Sequence, residues 1–450
     1  MFRLKQTWIN LRSSFWFLPS LIVVFCMSFA AAIIETDSAG SDRWLAHWPR
    51  LFGVGPEGAR DMLSTLAGSM MSITGVTFSM TLVALALASS QNTSRILRNF
   101  MRSRVTQVTL GVFAGVFAYC LIVLRTIRTG DGVFVPILAV FFAFVLALGG
   151  IGVLVFFIHH IASSIQASNI IASIAQETTA AIDRLFAEKW DRGPDRAEAE
   201  ENDQVLASRD ERTWYPVPAT LSGYVQSVHS ASLLDFARNR KTLVRMERGV
   251  GAFVVKDTAL ASLALAYPPD QEMIDALNEA YRIGRLRTVE QDPSFGIRQL
   301  VDMAMKALSP GVNDTSTAVM CIDYLAAILA RLACVQFPSS HRYEGGTLRV
   351  IAIVPTFGDL LAEAFDQVRD SAEGNVAIMA RMLSAIDAIA SLTVNPDHIR
   401  VLDEQLQWIA ELADRTIEST HNRARIEARL TEVRETLEAE LALAVGLETA

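Results

Sequence analysis

Four long stretches near the start of the chain contain no Asp, Glu, Lys or Arg, and nothing else in the sequence restricts the fold as strongly. They are residues 13–34, 62–94, 105–124 and 132–176, the last with its apolar core at 133–158. A helix needs about 20 apolar residues to cross the hydrocarbon of a bilayer. Four such windows in succession predict four transmembrane helices, at about 13–34, 62–90, 105–124 and 133–161, within a membrane domain spanning 1–161. The first run follows Arg3, Lys5 and Arg12 and contains Ala30, Ala31 and Ala32, features shared with secretory signals. Its length favours a retained helix. Trp8, Trp16, Trp44 and Trp48 flank it, as interfacial aromatic residues do.

Basic residues set direction. Arg3, Lys5 and Arg12 precede the first span, and Arg95, Arg98, Arg102 and Arg104 join the second to the third. Both groups belong on the cytoplasmic side of a bacterial inner membrane. Arg125 and Arg128 on the opposite loop oppose this weakly. Four spans then leave both termini in the cytoplasm, together with everything after residue 176.

Composition agrees with a divided chain. Apolar residues make up 51% and charged residues 20%, with the charges gathered after Glu177. The net charge of −8 gives no support for a nucleic-acid partner, which needs a basic face, and none is expected. Cys26, Cys120, Cys321 and Cys334 show no paired or metal-ligand spacing. No GxSxG, P-loop, HExxH or kinase motif is present, so no enzymatic role, metal or cofactor is expected.

The second span differs from the others. Thr65, Ser69, Ser72 and Ser79 fall near one helical face, and Gly68/Ser72 and Gly75/Ser79 are small-xxx-small pairs. Such residues allow close helix packing. They also suit a pore lining, if an oligomer gathers several copies. Both readings stay open.

After the fourth span the uncharged sequence continues as Ala162-Ser163-Ser164-Ile165-Gln166, read as one helix running on into the cytoplasm as an amphipathic strut. Residues 162–213 comprise that extension and a charged linker. Residues 214–268 form a small β-rich module, resembling the hammerhead half of lipoyl- or biotinyl-type barrels. Lys256 lacks the methionine flanks of a modified lysine there, so no prosthetic group follows. Residues 269–450 are mainly helical, with 270–283 read as one helix and 348–354 as a strand. The fold class is an α-helical membrane protein with four spans and an α+β cytoplasmic region, combining a small barrel-like module with a helical bundle.

Three stretches resemble a bacterial membrane family catalogued as domain of unknown function 2254. The first is Asp292-Pro293-Ser294-Phe295-Gly296-Ile297-Arg298, followed by Ser309-Pro310-Gly311-Val312-Asn313-Asp314. The second is Ala88-Ser89-Ser90-Gln91 with Leu97-Arg98-Asn99-Phe100, and the third Ser222-Gly223-Tyr224-Val225. The resemblance implies membership and no activity. Thr315 stands where the family pattern leads one to expect proline.

The 309–314 segment reads as a turn feeding a helix, with Asn313 or Asp314 as its cap. The alternative is an anion site at that helix start, assisted by Arg298 and Lys306. Arg298 and Asp302 also form an ordinary i,i+4 pair. Ser309 and Gly311 complete the turn. Two functions are therefore expected: a homo-oligomeric channel-like or transport protein with a gating cytoplasmic region, or a membrane-anchored sensor or scaffold. The expected partners are the lipid bilayer, further copies of the chain, and an ion or small anionic ligand.

Overall fold

The computed structural model describes residues 16–38, 55–91, 104–128, 134–164, 166–187, 213–393 and 395–448. Trp8, Trp44, Trp48, the basic residues Arg3 to Arg12 and Arg95 to Arg102, and the linker at 188–212 lie outside them. The chain divides into two compact units, residues 1–169 and 170–450.

The first unit contains α1 (Phe17–Ser38), α2 (Pro56–Gln91), α3 (Arg104–Thr126) and α4 (Ile137–Ser164). All four are long and apolar enough to cross a membrane. The helices run past the uncharged windows, so Glu35, Asp37, Glu57, Arg60 and Asp61 sit on their ends. Large apolar side chains point outward from α1 (Phe25, Val24) and α4 (Leu148, Ile151, Val155, Phe156). An aqueous protein rarely displays so continuous an apolar surface, and lipid accommodates it.

α3 is the central helix of this unit. Phe113, Val116, Tyr119, Cys120 and Val123 are all buried along it. Its approach to α1 is set by Gly111 and Gly115. A Cβ on Gly111 would lie 2.8 Å from Ile22 Cδ1 and 3.0 Å from the Pro19 backbone, and one on Gly115 2.7 Å from Cys26 Sγ. This GxxxG pair brings two backbones together, as small residues do in membranes. Across the bundle, the Tyr119 hydroxyl donates to the Ala139 carbonyl of α4 at 3.0 Å. Asp37, only 3% exposed, accepts from the Leu138 and Ala139 amides at 3.3 and 3.1 Å. These amides open α4 and have no partner within it, so the end of α1 caps the start of α4.

α4 does not continue as a strut. It stops at Ser164, and a separate helix α5 (Ala167–Ala187) begins after it. Two side chains compete for the final carbonyls. The Ser164 hydroxyl donates to the His160 carbonyl (2.7 Å), and Asn169 Nδ2 to the Ser163 carbonyl (2.6 Å). α5 is amphipathic as expected, with Ile171, Ile174, Ala175, Thr178, Ala181 and Ile182 buried on one face.

The second unit is α+β, with two small sheets. Its strands are β1 (Thr213–Pro218), β2 (Gly223–Val228), β3 (Val244–Met246), β4 (Phe253–Val254), β5 (Ala259–Leu265), β6 (Tyr281–Gly284), β7 (His341–Glu344) and β8 (Thr347–Ile351). The larger sheet runs β1-β5-β3-β8-β7 and the smaller β4-β2-β6. In place of the barrel-like module expected over 214–268, the described strands form these two sheets, and β6, β7 and β8 come from beyond residue 268. Only β3–β8 is parallel. β1 tolerates Pro216 and Pro218 because it is an edge strand. Helices α6 (Ser230–Asn239) and α7 (Gln271–Glu279) accompany the sheets, sharing one core through Leu233, Phe236 and Leu277 with Val217, Val244, Leu263 and Val350. The helix expected over 270–283 ends at Glu279, because Tyr281 to Gly284 pair with β2.

The helical part comprises α8 (Pro293–Leu308), α9 (Thr315–Ala333), α10 (Phe357–Asp370), α11 (Val376–Ala390), α12 (Pro396–Thr416) and α13 (Thr420–Glu448). Side-chain caps start most of them. Asp292, Asp314, Thr356, Asn375 and Asn395 each accept an amide of the first turn that follows. α9 is a fifth helix long and apolar enough to cross a membrane.

Candidate functional site

Two regions were singled out by the sequence, and each falls within one unit. The first is α2. Ala59, Leu63, Ala67, Met70, Thr77 and Ala84 form its buried stripe. Thr65, Ser69, Ser72 and Ser79 all lie on the exposed side. A Cβ built on Gly68 or Gly75 meets nothing within 4 Å. Among the described residues of the protomer, the small-xxx-small pairs of α2 therefore have nothing packed against them. That role belongs to Gly111 and Gly115 of α3, a spacing visible in the sequence that the hydroxyl-rich second span overshadowed.

The outward residues follow alternating steps of three and four: Thr65, Gly68, Ser72, Gly75, Ser79. This is the heptad spacing of a helix–helix seam, built here from small side chains. The hydroxyls of Thr65 and Ser72 donate to the carbonyls of Asp61 (2.7 Å) and Gly68 (3.0 Å). Those hydrogen bonds remove their cost in an apolar surrounding while keeping the surface smooth.

The second region is the 292–314 motif. Asp292 is 5% exposed, caps α8 by accepting from the Phe295 amide (3.2 Å), and is clasped by Arg287 through Nε (2.8 Å) and Nη2 (3.0 Å). Gly251, at φ +86°, lies against that pair, and any side chain there would strike it. One turn further along α8, a Cβ on Gly296 would collide with Thr178 Oγ1 of α5. Ala181 of α5 packs with Val289 and Phe295. Asp183 pairs with Arg331 of α9 at 2.7 Å. Residues 292–296 are thus the seat of α5. The sequence marked the motif, but not its contact, because Thr178 lies more than a hundred residues earlier.

The 309–314 segment is a self-contained turn. The Val312 and Asn313 amides both donate to the Ser309 carbonyl (3.0 and 2.9 Å), and the Asp314 amide to the Ala307 carbonyl (2.8 Å). Ser309 Oγ donates to the Lys306 carbonyl (2.6 Å). Asn313 takes φ +49°, a conformation asparagine tolerates. Gly311 has open space about it. Asp314 accepts from the Thr317 amide (3.0 Å) and hydroxyl (2.6 Å), which holds its carboxyl below the usual range. The start of α9 is therefore occupied by the chain's own carboxylate. Arg298 meets Asp302 at 3.1 Å and Glu363 of α10 at 3.3 Å. Its charge is spent on fixing α8 to α10, and Lys306 lies in the last turn of α8.

With this geometry in view, the chain can be placed among known proteins. The family model described as predicted membrane protein (DUF2254) matches residues 12–388. The chain belongs to the DUF2254 family. Uncharacterized proteins from two strains of Mycobacterium tuberculosis and from Mycobacterium bovis are each 30% identical over 393 residues, covering 84% of this chain and 73% of theirs. No solved structure matches. The DUF2254 match begins before α1 and ends inside α11, so it takes in the α1–α3 glycine seam, α2 and the seat of α5. It is a membrane protein of unknown function.

Proposed function

We propose that this DUF2254 protein is a homo-oligomeric, channel-like protein of the bacterial inner membrane. Copies would meet through α2, and the 170–450 unit would shape or gate the cytoplasmic mouth. The observation that carries this reading is the outward face of α2. Thr65, Ser69, Ser72 and Ser79 are exposed there, and Gly68 and Gly75 touch nothing. Lipid gives no reason to place glycines and hydroxyls on an outer face, whereas a neighbouring helix or a water-filled path does.

In this reading α1 to α4 cross the bilayer, and both termini are cytoplasmic. The fifth apolar helix, α9, belongs to the soluble core. Ile322, Leu325, Ile328 and Leu329 are fully buried, and Asp323 and Arg331 reach ion-pair partners on α11 and α5. Four crossings return the chain to the side carrying Arg95, Arg98, Arg102 and Arg104. No catalytic role is assigned, and the permeant species would be an ion or small polar solute.

The test is the purified full chain in lipid nanodiscs and planar bilayers. Native mass measurement should give a defined oligomer, and Ser72→Cys should crosslink between copies under oxidation. Bilayer recordings should show conductance that Ser72→Leu or Ser79→Leu reduces at least tenfold. A monomer, or silence across voltage, tension and pH, would remove this reading in favour of the sensor or scaffold.

A further inference from the structure

Four aromatic rings link α5 to the heart of the helical bundle. Phe186, in the last turn of α5, meets Phe337 edge-on at 5.3 Å. Phe337 meets His398 at 5.9 Å, and His398 stacks on Phe357 of α10 at 4.2 Å and 24°. His398 is only 8% exposed, at the start of α12. Its Nδ1 lies 3.3 Å from the Thr393 hydroxyl, which donates to the Ala333 carbonyl at the end of α9 (3.4 Å). One imidazole thus stands where α5, α9, α10 and α12 converge.

We propose that His398 is a pH-sensitive latch, holding the end of α5 against the bundle when neutral and releasing it when protonated. It does not depend on what the membrane unit carries. A phenylalanine in this slot would lack both the ring nitrogen that meets the Thr393 hydroxyl and the ability to gain a proton near neutrality. The slot suits the neutral ring. Two phenylalanine faces and edges surround it, and burial pushes its pKa down, partly opposed by Asp397 and the Ala333 carbonyl. Among the described residues, the charges on the neighbouring elements have partners, and on α12 Asp397 pairs with Arg400 at 2.9 Å. On α5 and α9, Asp183 and Arg331 pair with each other. On α10, Asp359 is held by the Thr356 capping box. A cation–π contact with Phe357 would offset only part of the lost hydration.

The direction follows from linkage. The unfolded or undocked ring takes up its proton near pH 6.5 and the docked ring only at lower pH. Between those values the undocked state binds more protons, so docking is strongest above 6.5 and weakens as pH falls. One proton changes the equilibrium by at most about tenfold per pH unit. α5 is the element that would respond, because its Asp183–Arg331 bridge is half exposed and holds weakly. The latch grips α5 at its last turn, through Phe186, at the opposite end of that helix from Ala167.

Hydrogen exchange of the full chain in nanodiscs tests it, with protection corrected for intrinsic exchange. From pH 7.5 to 5.5, protection across α5 should fall at least threefold in the wild type. His398→Phe should keep it constant, as should His398→Gln if the phenylalanine variant melts early at pH 7.5. Phe337→Leu should lower α5 protection at both pH values and remove its pH dependence. An unchanged wild type, or an equal fall in wild type and both His398 variants, overturns the latch.

Discussion

If residues 292–296 exist to seat α5, replacing Gly296 should be repaired from the other side of the contact. A Cβ on Gly296 would strike Thr178 Oγ1 and lie 2.9 Å from Thr178 Cβ and Cγ2. Overpacking of this kind costs about 1–3 kcal/mol. Alanine also returns about 1 kcal/mol of helix propensity relative to glycine. The approach to Oγ1 is far inside contact, so the upper part of the overpacking range applies, and after the propensity gain is subtracted Gly296→Ala should destabilise by about 1–2 kcal/mol. Thr178→Ala alone removes a buried hydroxyl that donates to the Ile174 carbonyl (2.7 Å), at about 1 kcal/mol. In the double variant Oγ1 and Cγ2 are gone, and a shift of a few tenths of an ångström relieves the remaining Cβ approach. It should sit within about 1 kcal/mol of wild type, which makes the coupling about 2 kcal/mol. Melting of the full chain in detergent reads this as a drop of about 2–4 °C for Gly296→Ala and near-complete recovery in the double variant. Additivity within about 0.5 kcal/mol would refute the seat.

Two further outcomes follow from the membrane unit. Gly115→Leu should push α1 off α3, since even a Cβ there comes within 2.7 Å of Cys26 Sγ, and the variant should lose its monodisperse peak in detergent chromatography. Asp37→Ala leaves the Leu138 and Ala139 amides without their cap and should cost about 1–2 kcal/mol, seen as earlier melting, with Asp37→Asn losing about half as much.

The parts of this fold that could be read from sequence were those with a local physical signature. Long uncharged windows announce helices in lipid, and alternation at 223–228 announces β2. The Asp314 cap is legible because it acts three residues away. What stayed hidden depends on distant partners. Tyr281 to Gly284 continues the helical run of α7 in composition, and only its pairing with β2 makes it a strand. Asp37 looks like a loop residue until α4 is brought beside it. The 309–314 turn looked open to an anion, because nothing local shows that Arg298 is claimed by Glu363, 65 residues on. The break at Ser164 came from serine and asparagine side chains within a continuous uncharged stretch.

The two glycine pairs of the membrane unit offer a way to separate causes. Gly111 and Gly115 are filled contacts, so any larger residue there injures the protomer itself. Gly68 and Gly75 face empty space, so a larger residue there leaves the protomer's own packing as it was. A growth defect from Gly68→Leu, in protein that still inserts and melts normally, would therefore report on what α2 meets beyond the described residues of its own chain. A geneticist could use this pair of sites as a built-in control, one for folding and one for assembly.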